Sequence, residues 1–290
     1  MTVTEKAYAK INLHLDVTDI MENGYHSVNT VMQSVSLCDT VTLSPRTDGQ
    51  FILTCTAKDV PTDNSNLAIR AALAFREAIG AELGADIHIE KNIPIAGGLA
   101  GGSADAAATL KALNKICREP LNTEQLCAIG SNLGADIPFC IVGGSAFADG
   151  KGDILHPFPK MPHCYIVIAS GGEGVSTPVA YGMLDSIYGG FTKDSCYIPV
   201  PLDSLTAAAR SADINGIVKS MFNIFESPIL SVRPVAKKIK ETMLSSGAMG
   251  AMMSGSGPSI FGIFKDERTA RYTCENIKAL GVVPHLCSPC

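Results

Sequence analysis

The stretch PIAGGLAGGSADAAATL, residues 94–110, constrains the fold of this chain most, because four glycines within six residues precede an alanine-rich run. Residues 86–91 before it alternate in polarity, which predicts a strand. The stretch itself predicts a loop that opens a helix to about Lys115, capped by Gly102 or Ser103. Glycines let the backbone approach a ligand, and the first N–H groups of a helix favour an anion. The order strand, glycine loop, helix therefore indicates a phosphate site; the alternative is a loop that only lets a helix pack close to a sheet.

Two common phosphate motifs do not fit this loop. The dinucleotide pattern G-x-G-x-x-G fails at its first glycine, because position 96 is alanine. Gly97 and Gly102 have the spacing of the P-loop, but Ser103 stands where that motif needs lysine, and the next lysine is Lys111. Without that lysine the P-loop lacks its cation on the β- and γ-phosphates.

Composition limits the function classes. The chain has 290 residues, of which 46% are hydrophobic and 18% charged, so we expect a globular protein of about two domains. The formal net charge is −5 and no lysine or arginine cluster is visible, which argues against nucleic acid as a partner. The N-terminus lacks the pattern of a signal peptide and no run of 18 apolar residues occurs, so we expect a cytoplasmic protein with no membrane partner.

The ten cysteines are scattered through apolar segments, which favours reduced thiols over a disulfide framework. Cys287 and Cys290 have C-x-x-C spacing at the end of the chain, and we interpret them as part of a frayed tail.

Periodicity predicts a mixture of strands and helices. Residues 11–17 alternate in polarity, with Lys10, Asn12, His14 and Asp16 on the polar face of the strand. Residues 23–24, Asn-Gly, predict a hairpin turn. Further strands are predicted at 30–37, 40–43, 51–57, 165–169, 249–253 and 259–264. Further helices are predicted from after Asn64 to a C-cap at Gly80, and at 123–133, 231–246 and 268–280. The elements do not alternate strictly as βαβ units, so we expect an α+β fold.

The glycine stretch resembles the central motif of the GHMP kinases, P-x-x-x-G-L-x-S-S-A with variants. Further segments are similar to the branch that phosphorylates 4-diphosphocytidyl-2-C-methyl-D-erythritol, in the same order: AKINLHLDV, NGYHSVNTVMQSV, GADIPFCIVGGSAFADGKGD and MSGSGPSIFGIF. The resemblance covers about residues 6–264. Alanines at 96, 100 and 104 stand where many relatives have glycine or serine, and residues 189–201 do not align.

The resemblance implies a two-domain α+β fold with the active site in the cleft between the domains. We expect an N-terminal nucleotide-binding domain, residues 1–157, of the ribosomal protein S5 domain 2-like type, and a C-terminal ferredoxin-like α/β domain, residues 158–290. The boundary falls in the stretch with Pro157, Pro159 and Pro162. It also implies ATP as the phosphoryl donor, Mg²⁺ as its cation, and a small-molecule acceptor. The metal ligands are open, with the Ser103 hydroxyl as a candidate, and we expect a monomer or weak homodimer.

Site residues follow from the resemblance in the same way. Asp136 in GADIP is implied as the general base, with Lys10 beside it. The phosphates are implied to lie on Pro94, Ile95, Ala96, Gly97, Gly98, Leu99, Ala100, Gly101, Gly102, Ser103 and Ala104. The acceptor is implied to contact Asn12, Tyr25, His26, Thr177 and Tyr181, with Tyr25 and Tyr181 on the two faces of the cytosine and His26 at its edge. The turn SGSGP, residues 254–258, is implied to close over the phosphates.

Three alternatives to the cytidyl kinase stay open at this point. Another GHMP kinase, for homoserine or mevalonate, would have no use for the base-binding residues Tyr25, His26 and Tyr181. A non-catalytic nucleotide-binding member would lack Lys10 and Asp136, and both are present. A structural α+β protein would require every glycine turn to be coincidental.

Overall fold

A computed structural model describes residues 1–22, 24–191 and 197–290, and all structural statements refer to these ranges. The strands are β1 Val3–Ile20, β2 His26–Arg46, β3 Phe51–Cys55, β4 Gly84–Glu90, β5 Ser145–Asp149, β6 Ile154–Pro157, β7 Tyr165–Ser170, β8 Phe222–Asn223, β9 Gly250–Met253, β10 Ser259–Phe264 and β11 Pro284–Cys287. The helices are α1 Leu67–Ile79, α2 Gly101–Ile116, α3 Thr123–Ser131, α4 Ile137–Val142, α5 Thr177–Tyr188, α6 Asp203–Arg210, α7 Ile214–Ser220, α8 Glu226–Val232, α9 Pro234–Ser245 and α10 Glu267–Lys278.

The chain divides into two compact units, each built from several segments. The first unit comprises Met1–Ala9, Leu37–Ile95 and Ala100–Gly143, and the second comprises Lys10–Ser36, Ala96–Leu99 and Gly144–Cys290. Both β1 and β2 contribute residues to each unit, and the glycine loop passes from one unit to the other between Leu99 and Ala100. A single boundary near residue 157 stays a prediction.

In the first unit the strands run in the order β3-β4-β2-β1 and four helices pack together. The β2–β4 pair is antiparallel and the β3–β4 pair parallel. Helix α2 packs against α1, α3 and α4, and its residues from Ala104 to Leu110 are buried on every side. Alanine makes this possible, because its small side chain lets neighbouring helices approach closely while it keeps the highest helix propensity.

In the second unit a four-stranded antiparallel sheet has the order β11-β7-β10-β9. Helices α9 and α10 pack on this sheet and on each other through apolar side chains that are fully buried. The unit also contains β8, which pairs in parallel with β1, and β5, which pairs with β2 and β6. Mostly antiparallel pairing with only short parallel segments confirms the α+β expectation.

Four predicted elements were wrong in their bounds. Residues 30–37 and 40–43 belong to the single strand β2, because Asp39 is buried in it as a hydrogen-bond acceptor and does not form a turn. Residues 231–246 form two helices that meet at Arg233 and Pro234, because proline cannot donate an interior helical hydrogen bond. Helix α2 begins at Gly101 with Ala100 as its N-cap, so neither Gly102 nor Ser103 caps it.

The described residues contain no helix with the length and apolarity needed to cross a membrane. No disulfide joins any two of the nine cysteines in the described ranges, and Cys196 lies outside them. The interpretation of Cys287 and Cys290 as a frayed tail was wrong, because Cys287 is buried in β11 and the Cys290 N–H donates to the Ser34 carbonyl at 3.0 Å. Of the predicted Asn-Gly turn, Asn23 also lies outside; Gly24 has a φ of 80° and its N–H donates to the Met21 carbonyl at 2.8 Å.

Candidate functional site

The start of α2 presents backbone donors that no side chain caps. The first helical bond runs from the Ala104 N–H to the Ala100 carbonyl at 2.8 Å, and no side-chain hydrogen bond caps the helix. The first turn carries no acidic residue, so nothing there repels an anion. These are the conditions under which the N–H groups of Gly101, Gly102 and Ser103 bind phosphate oxygens.

Two alanines of the loop adopt a backbone conformation that favours glycine. Ala96 has a φ of 53° and Ala100 a φ of 57°, both in the left-handed region. A residue with a Cβ in this region is strained by about 1–2 kcal/mol. The alanines therefore keep the loop path that glycine would adopt without strain, and the loop is held in it by its contacts.

Within the second unit, residues 97 and 98 are bonded to the SGSGP turn. The Ser259 N–H donates to the Gly97 carbonyl at 3.1 Å, and the Ser254 hydroxyl donates to the Gly98 carbonyl at 3.0 Å. Gly98 has a φ of 77°, and a Cβ at this position would collide with the Ser254 carbonyl. Glycine is required here for close approach of the two backbones, and the contact links two motifs that the sequence analysis singled out separately.

A buried ion cluster lies beside the loop in the first unit. The Lys91 ammonium donates to Asp39 Oδ2 at 2.5 Å and to Asp105 Oδ2 at 2.7 Å. The second oxygen of Asp39 accepts the N–H groups of Asn92 at 2.5 Å and Ile93 at 2.8 Å. The cluster therefore joins β2, the segment that leads into the glycine loop, and the start of α2.

Two ionisable groups of this cluster, Asp105 and Lys91, have displaced pKa values. Burial raises the pKa of the Asp105 carboxyl to about 7, and the Lys91 charge opposes part of that increase. Burial by itself would lower the pKa of Lys91, but the carboxylates of Asp105 and Asp39 raise it above its ordinary value. Asp105 Oδ1 is buried without a hydrogen-bond partner among the described residues, in agreement with a carboxyl that binds a proton readily.

Lys10 and Asn12 lie in a buried polar network of the second unit. Lys10 is 4% exposed, and its ammonium donates to Asn12 Oδ1 at 2.8 Å. The Asn12 amide donates to the Thr30 hydroxyl at 2.8 Å, and the Ser254 hydroxyl lies 3.5 Å from Asn12 Oδ1. The Lys10 N–H also donates to the Leu99 carbonyl at 3.1 Å. Lys10 is thus bonded to the glycine loop and is not a solvated strand residue.

The other two residues of the predicted polar face of β1, His14 and Asp16, are buried too, so this face does not face solvent. His14 has no hydrogen-bond partner for either ring nitrogen among the described residues, and burial lowers its pKa to about 4. Asp16 accepts the Tyr197 hydroxyl at 2.6 Å and the Val200 N–H at 2.8 Å, and burial raises its pKa. Residues 9–17 of β1 are buried on both faces of the strand. The partners of Asp16 come from segments that are distant in sequence.

Asp136 lies at the N-cap of α4 in the first unit, where its side chain makes no capping hydrogen bond. It is half-buried, and Pro138 follows it in the first turn of the helix. A Cβ at Gly134 in the same loop would lie 3.9 Å from the Ser103 hydroxyl. The GADIP loop therefore lies against the start of α2, within reach of the proposed phosphate donors.

The residues implied for the acceptor differ in exposure. Tyr25 is 62% exposed, and Thr177 is exposed at the start of α5. The His26 ring stacks on Tyr181 with centroids 4.4 Å apart, and its Nε2 lies 2.9 Å from Asp185 Oδ1. His26 and Tyr181 are therefore brought together in the second unit.

Sequence analysis missed Lys91, Asp39 and Asp185. Asp185 could have been found from its i,i+4 spacing to Tyr181, which puts both on one helix face. No local spacing pattern indicated Lys91 and Asp39, because the two residues are 52 positions apart in the sequence. The Lys111 ammonium, the next cation after the loop, lies 3.5 Å from the Cys140 carbonyl, and burial lowers its pKa.

Family profiles match two regions of the chain. The profile described as GHMP kinases N terminal domain matches residues 66–144, and the one described as GHMP kinases C terminal matches residues 205–282.

Curated relatives extend over almost the whole chain. A 4-diphosphocytidyl-2-C-methyl-D-erythritol kinase of Caldicellulosiruptor bescii is 39% identical over 273 residues, which cover 94% of this chain and 93% of the relative. The kinase of the same name from Exiguobacterium sibiricum is 41% identical over 271 residues, 93% of this chain and 92% of the relative.

Solved structures of similar proteins have the same fold as this chain. A crystal structure of 4-(cytidine 5'-diphospho)-2C-methyl-D-erythritol kinase superposes with a TM-score of 0.81 at 31% identity, covering 99% of both chains. A homoserine kinase of Cytophaga hutchinsonii, at 21% identity and covering 100% of this chain and 94% of the other, has a TM-score of 0.73 and shares the fold.

Proposed function

This chain belongs to the GHMP kinases, in the family of 4-diphosphocytidyl-2-C-methyl-D-erythritol kinases, and we propose that it phosphorylates the 2-hydroxyl of that compound with ATP. The products are the 2-phosphate and ADP, and the step belongs to the non-mevalonate pathway to isoprenoid precursors. The observation that carries the proposal is the uncapped start of α2 directly behind the glycine loop, a site built for phosphate. A cytosolic location stays a prediction.

In the proposed step Asp136 accepts the proton of the acceptor hydroxyl. The hydroxyl oxygen forms a bond to the γ-phosphorus, the bond from that phosphorus to the β,γ-bridging oxygen breaks, and ADP leaves with the electron pair. A carboxylate within hydrogen-bond reach of the hydroxyl is a suitable base. The place of Asp136 in the GADIP loop, which lies against the start of α2, supports this role.

Lys10 is proposed to stabilise the negative charge on the transferred phosphoryl group. Its burial supports the role, because a cation acts more strongly where water is excluded. Its hydrogen bond to Asn12 holds the side chain in one orientation, so little conformational entropy remains to be lost in the reaction.

Residues 94–104 are proposed to hold the ATP phosphates, and Mg²⁺ would neutralise the β- and γ-phosphates when bound. The described residues contain no group of three or more histidine, cysteine or acidic side chains that could hold a metal ion. This fits Mg²⁺, which commonly binds through substrate phosphates and water with one or two protein oxygens. The Ser103 hydroxyl at the start of α2 is the protein oxygen we propose.

For the acceptor, we propose that Tyr25 stacks on the cytosine, since an exposed aromatic face contributes about 1–3 kcal/mol per base. His26 is proposed to bind the edge of the base, and Tyr181, whose ring stacks on that of His26, is proposed to contact the base beside it. Asn12 and Thr177 are proposed to contact the methylerythritol arm.

The test is ADP release from ATP and Mg²⁺ with one acceptor per reaction: the cytidyl compound, homoserine, mevalonate or galactose. We expect release with the cytidyl compound alone. Release with another acceptor would keep the kinase assignment and overturn the substrate. Binding of ATP without turnover of any acceptor would favour a nucleotide-binding protein that lacks transferase activity.

Variants then test the proposed roles. We expect Lys10→Ala and Asp136→Asn each to lower kcat by at least about 100-fold, with ATP affinity within about threefold of the wild type. Lys6→Ala is the matched control, because Lys6 lies on the same strand but is exposed and donates to the Thr40 hydroxyl. Full activity with unchanged KM in Asp136→Asn would overturn the role of Asp136 as general base.

A further inference from the structure

Three side chains of the second unit fix the imidazole of His26. Its Nε2 lies 2.9 Å from Asp185 Oδ1, its face stacks on Tyr181 with centroids 4.4 Å apart, and Phe191 meets it edge-on at 5.8 Å. The Tyr181 ring is itself held edge-on against Phe225, which is 2% exposed, with centroids 5.0 Å apart. The ring of His26 therefore has a defined position and orientation before any ligand binds.

In the neutral form of the ring, the contact with Asp185 decides which nitrogen carries the proton. An ionised carboxylate can only accept hydrogen bonds, so Nε2 must be the donor. A neutral imidazole has a single N–H, and with the proton on Nε2 the other nitrogen, Nδ1, is a hydrogen-bond acceptor. Asp185 thus determines the hydrogen-bonding character of Nδ1 without touching it.

Asp185 does not stabilise the helix that carries it. It is the fourth residue from the end of α5, where the helix dipole is negative and a carboxylate is unfavourable. Its side chain is 40% exposed, so it contributes little to packing. The helix instead brings Asp185 and Tyr181, four residues apart, to the same side, where one bonds the edge of the His26 ring and the other stacks on its face.

We propose that Asp185 is a positioning residue that makes this site select cytosine over uracil by fixing the tautomer of His26. The inference rests on the proposed cytidyl acceptor. Cytosine carries an amino group, a donor, at the position where uracil carries a carbonyl, an acceptor. An acceptor Nδ1 bonds the amino group and repels the carbonyl. The His26 side chain is 13% exposed, and a polar atom in so enclosed a ring that must face the wrong partner discriminates strongly between such analogues.

The first test is a direct observation of the tautomer. Nitrogen-15 spectra of the histidine side chains, with His26 identified by comparison with His26→Gln, report which ring nitrogen is protonated. We expect the wild type to carry its proton on Nε2, and Asp185→Asn to show a mixture, because an amide can accept from or donate to Nε2. Protonation of both nitrogens in the wild type at neutral pH, or the same single tautomer in both proteins, would overturn the proposal.

The second test is the preference between CDP and UDP, measured as the two dissociation constants by calorimetry, so that it does not depend on turnover. We expect the wild type to bind CDP at least about tenfold more tightly, since one mismatched polar contact costs at least that factor. In Asp185→Asn this ratio should fall towards one, and Asp185→Glu should recover part of it. Equal binding of CDP and UDP by the wild type would overturn the proposal.

A second histidine–aspartate pair in the same unit supplies the matched control. His156 Nε2 lies 3.0 Å from Asp149 Oδ2, and its ring stacks on Phe147 with centroids 5.4 Å apart. Asp149→Asn removes the same kind of contact, and we expect it to leave the ratio of CDP to UDP affinity at the wild-type value. An equal loss of selectivity in Asp149→Asn would mean a nonspecific effect and would overturn the assignment to Asp185.

The outcomes separate this inference from the proposed function. A wild type that prefers CDP but transfers no phosphate to the cytidyl compound overturns the kinase function and leaves the role of Asp185 standing. A wild type that phosphorylates the cytidyl compound but binds CDP and UDP equally supports the kinase function and overturns the role of Asp185.

Discussion

Asp105 is the residue whose titration should appear in the stability of the protein. Its pKa is raised from 3.8 to about 7 by burial, so the folded chain binds this proton more tightly than the unfolded chain. Its contribution to stability is therefore largest below about pH 4 and is lost as the pH rises to about 7. We expect Asp105→Asn to remove this part of the decline in the free energy of unfolding, measured by urea denaturation across that range.

Asp86→Asn is the control for this experiment. Asp86 also accepts from a basic side chain in the first unit, Arg46 at 2.7 Å, but it is 55% exposed. We expect its variant to keep the wild-type dependence on pH. Parallel curves for the wild type and Asp105→Asn would show that the carboxyl of Asp105 titrates normally in the folded chain.

At the scale of the element, the glycine loop depends on its contact with the SGSGP turn. A Cβ at Gly98 would collide with the Ser254 carbonyl, and the φ of 77° is unfavourable for any other residue. We expect Gly98→Ala to lower the free energy of unfolding by about 2–3 kcal/mol and to weaken ATP binding. The strain of alanine at a positive φ and the displacement of the packed Ser254 backbone both contribute to this loss. Chemical denaturation and nucleotide titration measure the two effects.

Gly102→Ala tests whether the effect is specific to that contact. A Cβ at Gly102 would lie 3.7 Å from the Leu67 side chain, an ordinary packing distance, in the first turn of α2. Alanine favours a helix over glycine by up to about 1 kcal/mol, so we expect unchanged or higher stability. Similar losses of stability in both variants would contradict the argument from the contact with the turn.

For the whole molecule, we expect Mg²⁺ to bind only together with nucleotide. The described ranges hold no ready-made group of three metal-ligating side chains. ATP with Mg²⁺ at about 100 times its Kd should stabilise the folded chain by about 2.7 kcal/mol, which corresponds to roughly 4–5 °C in Tm for a chain of 290 residues. Differential scanning fluorimetry with Mg²⁺ alone, ATP with EDTA, and both together separates the contributions. An equal rise in Tm with Mg²⁺ alone would reveal a metal site of the protein itself.

Local patterns predicted much of the architecture. The Gly80 C-cap of α1 and the start of α3 at Thr123 were predicted correctly, because caps and hydrophobic spacing depend only on neighbouring residues. The α+β class was also predicted correctly, since it follows from the order of elements. The break at Pro234 could have been predicted from the sequence, because proline ends a helix wherever it occurs inside one.

The glycine motif and the kinase family were determined by the sequence alone, since glycine spacing restricts the backbone without reference to the rest of the chain. Only the tertiary structure decided three contacts: Lys91 between Asp39 and Asp105, Gly98 against Ser254, and Asp185 against His26. The contact between Asp185 and His26 joins residues 159 positions apart. Such contacts depend on how distant segments pack, so the sequence can place Asp185 on one helix face with Tyr181 but cannot show that it meets His26.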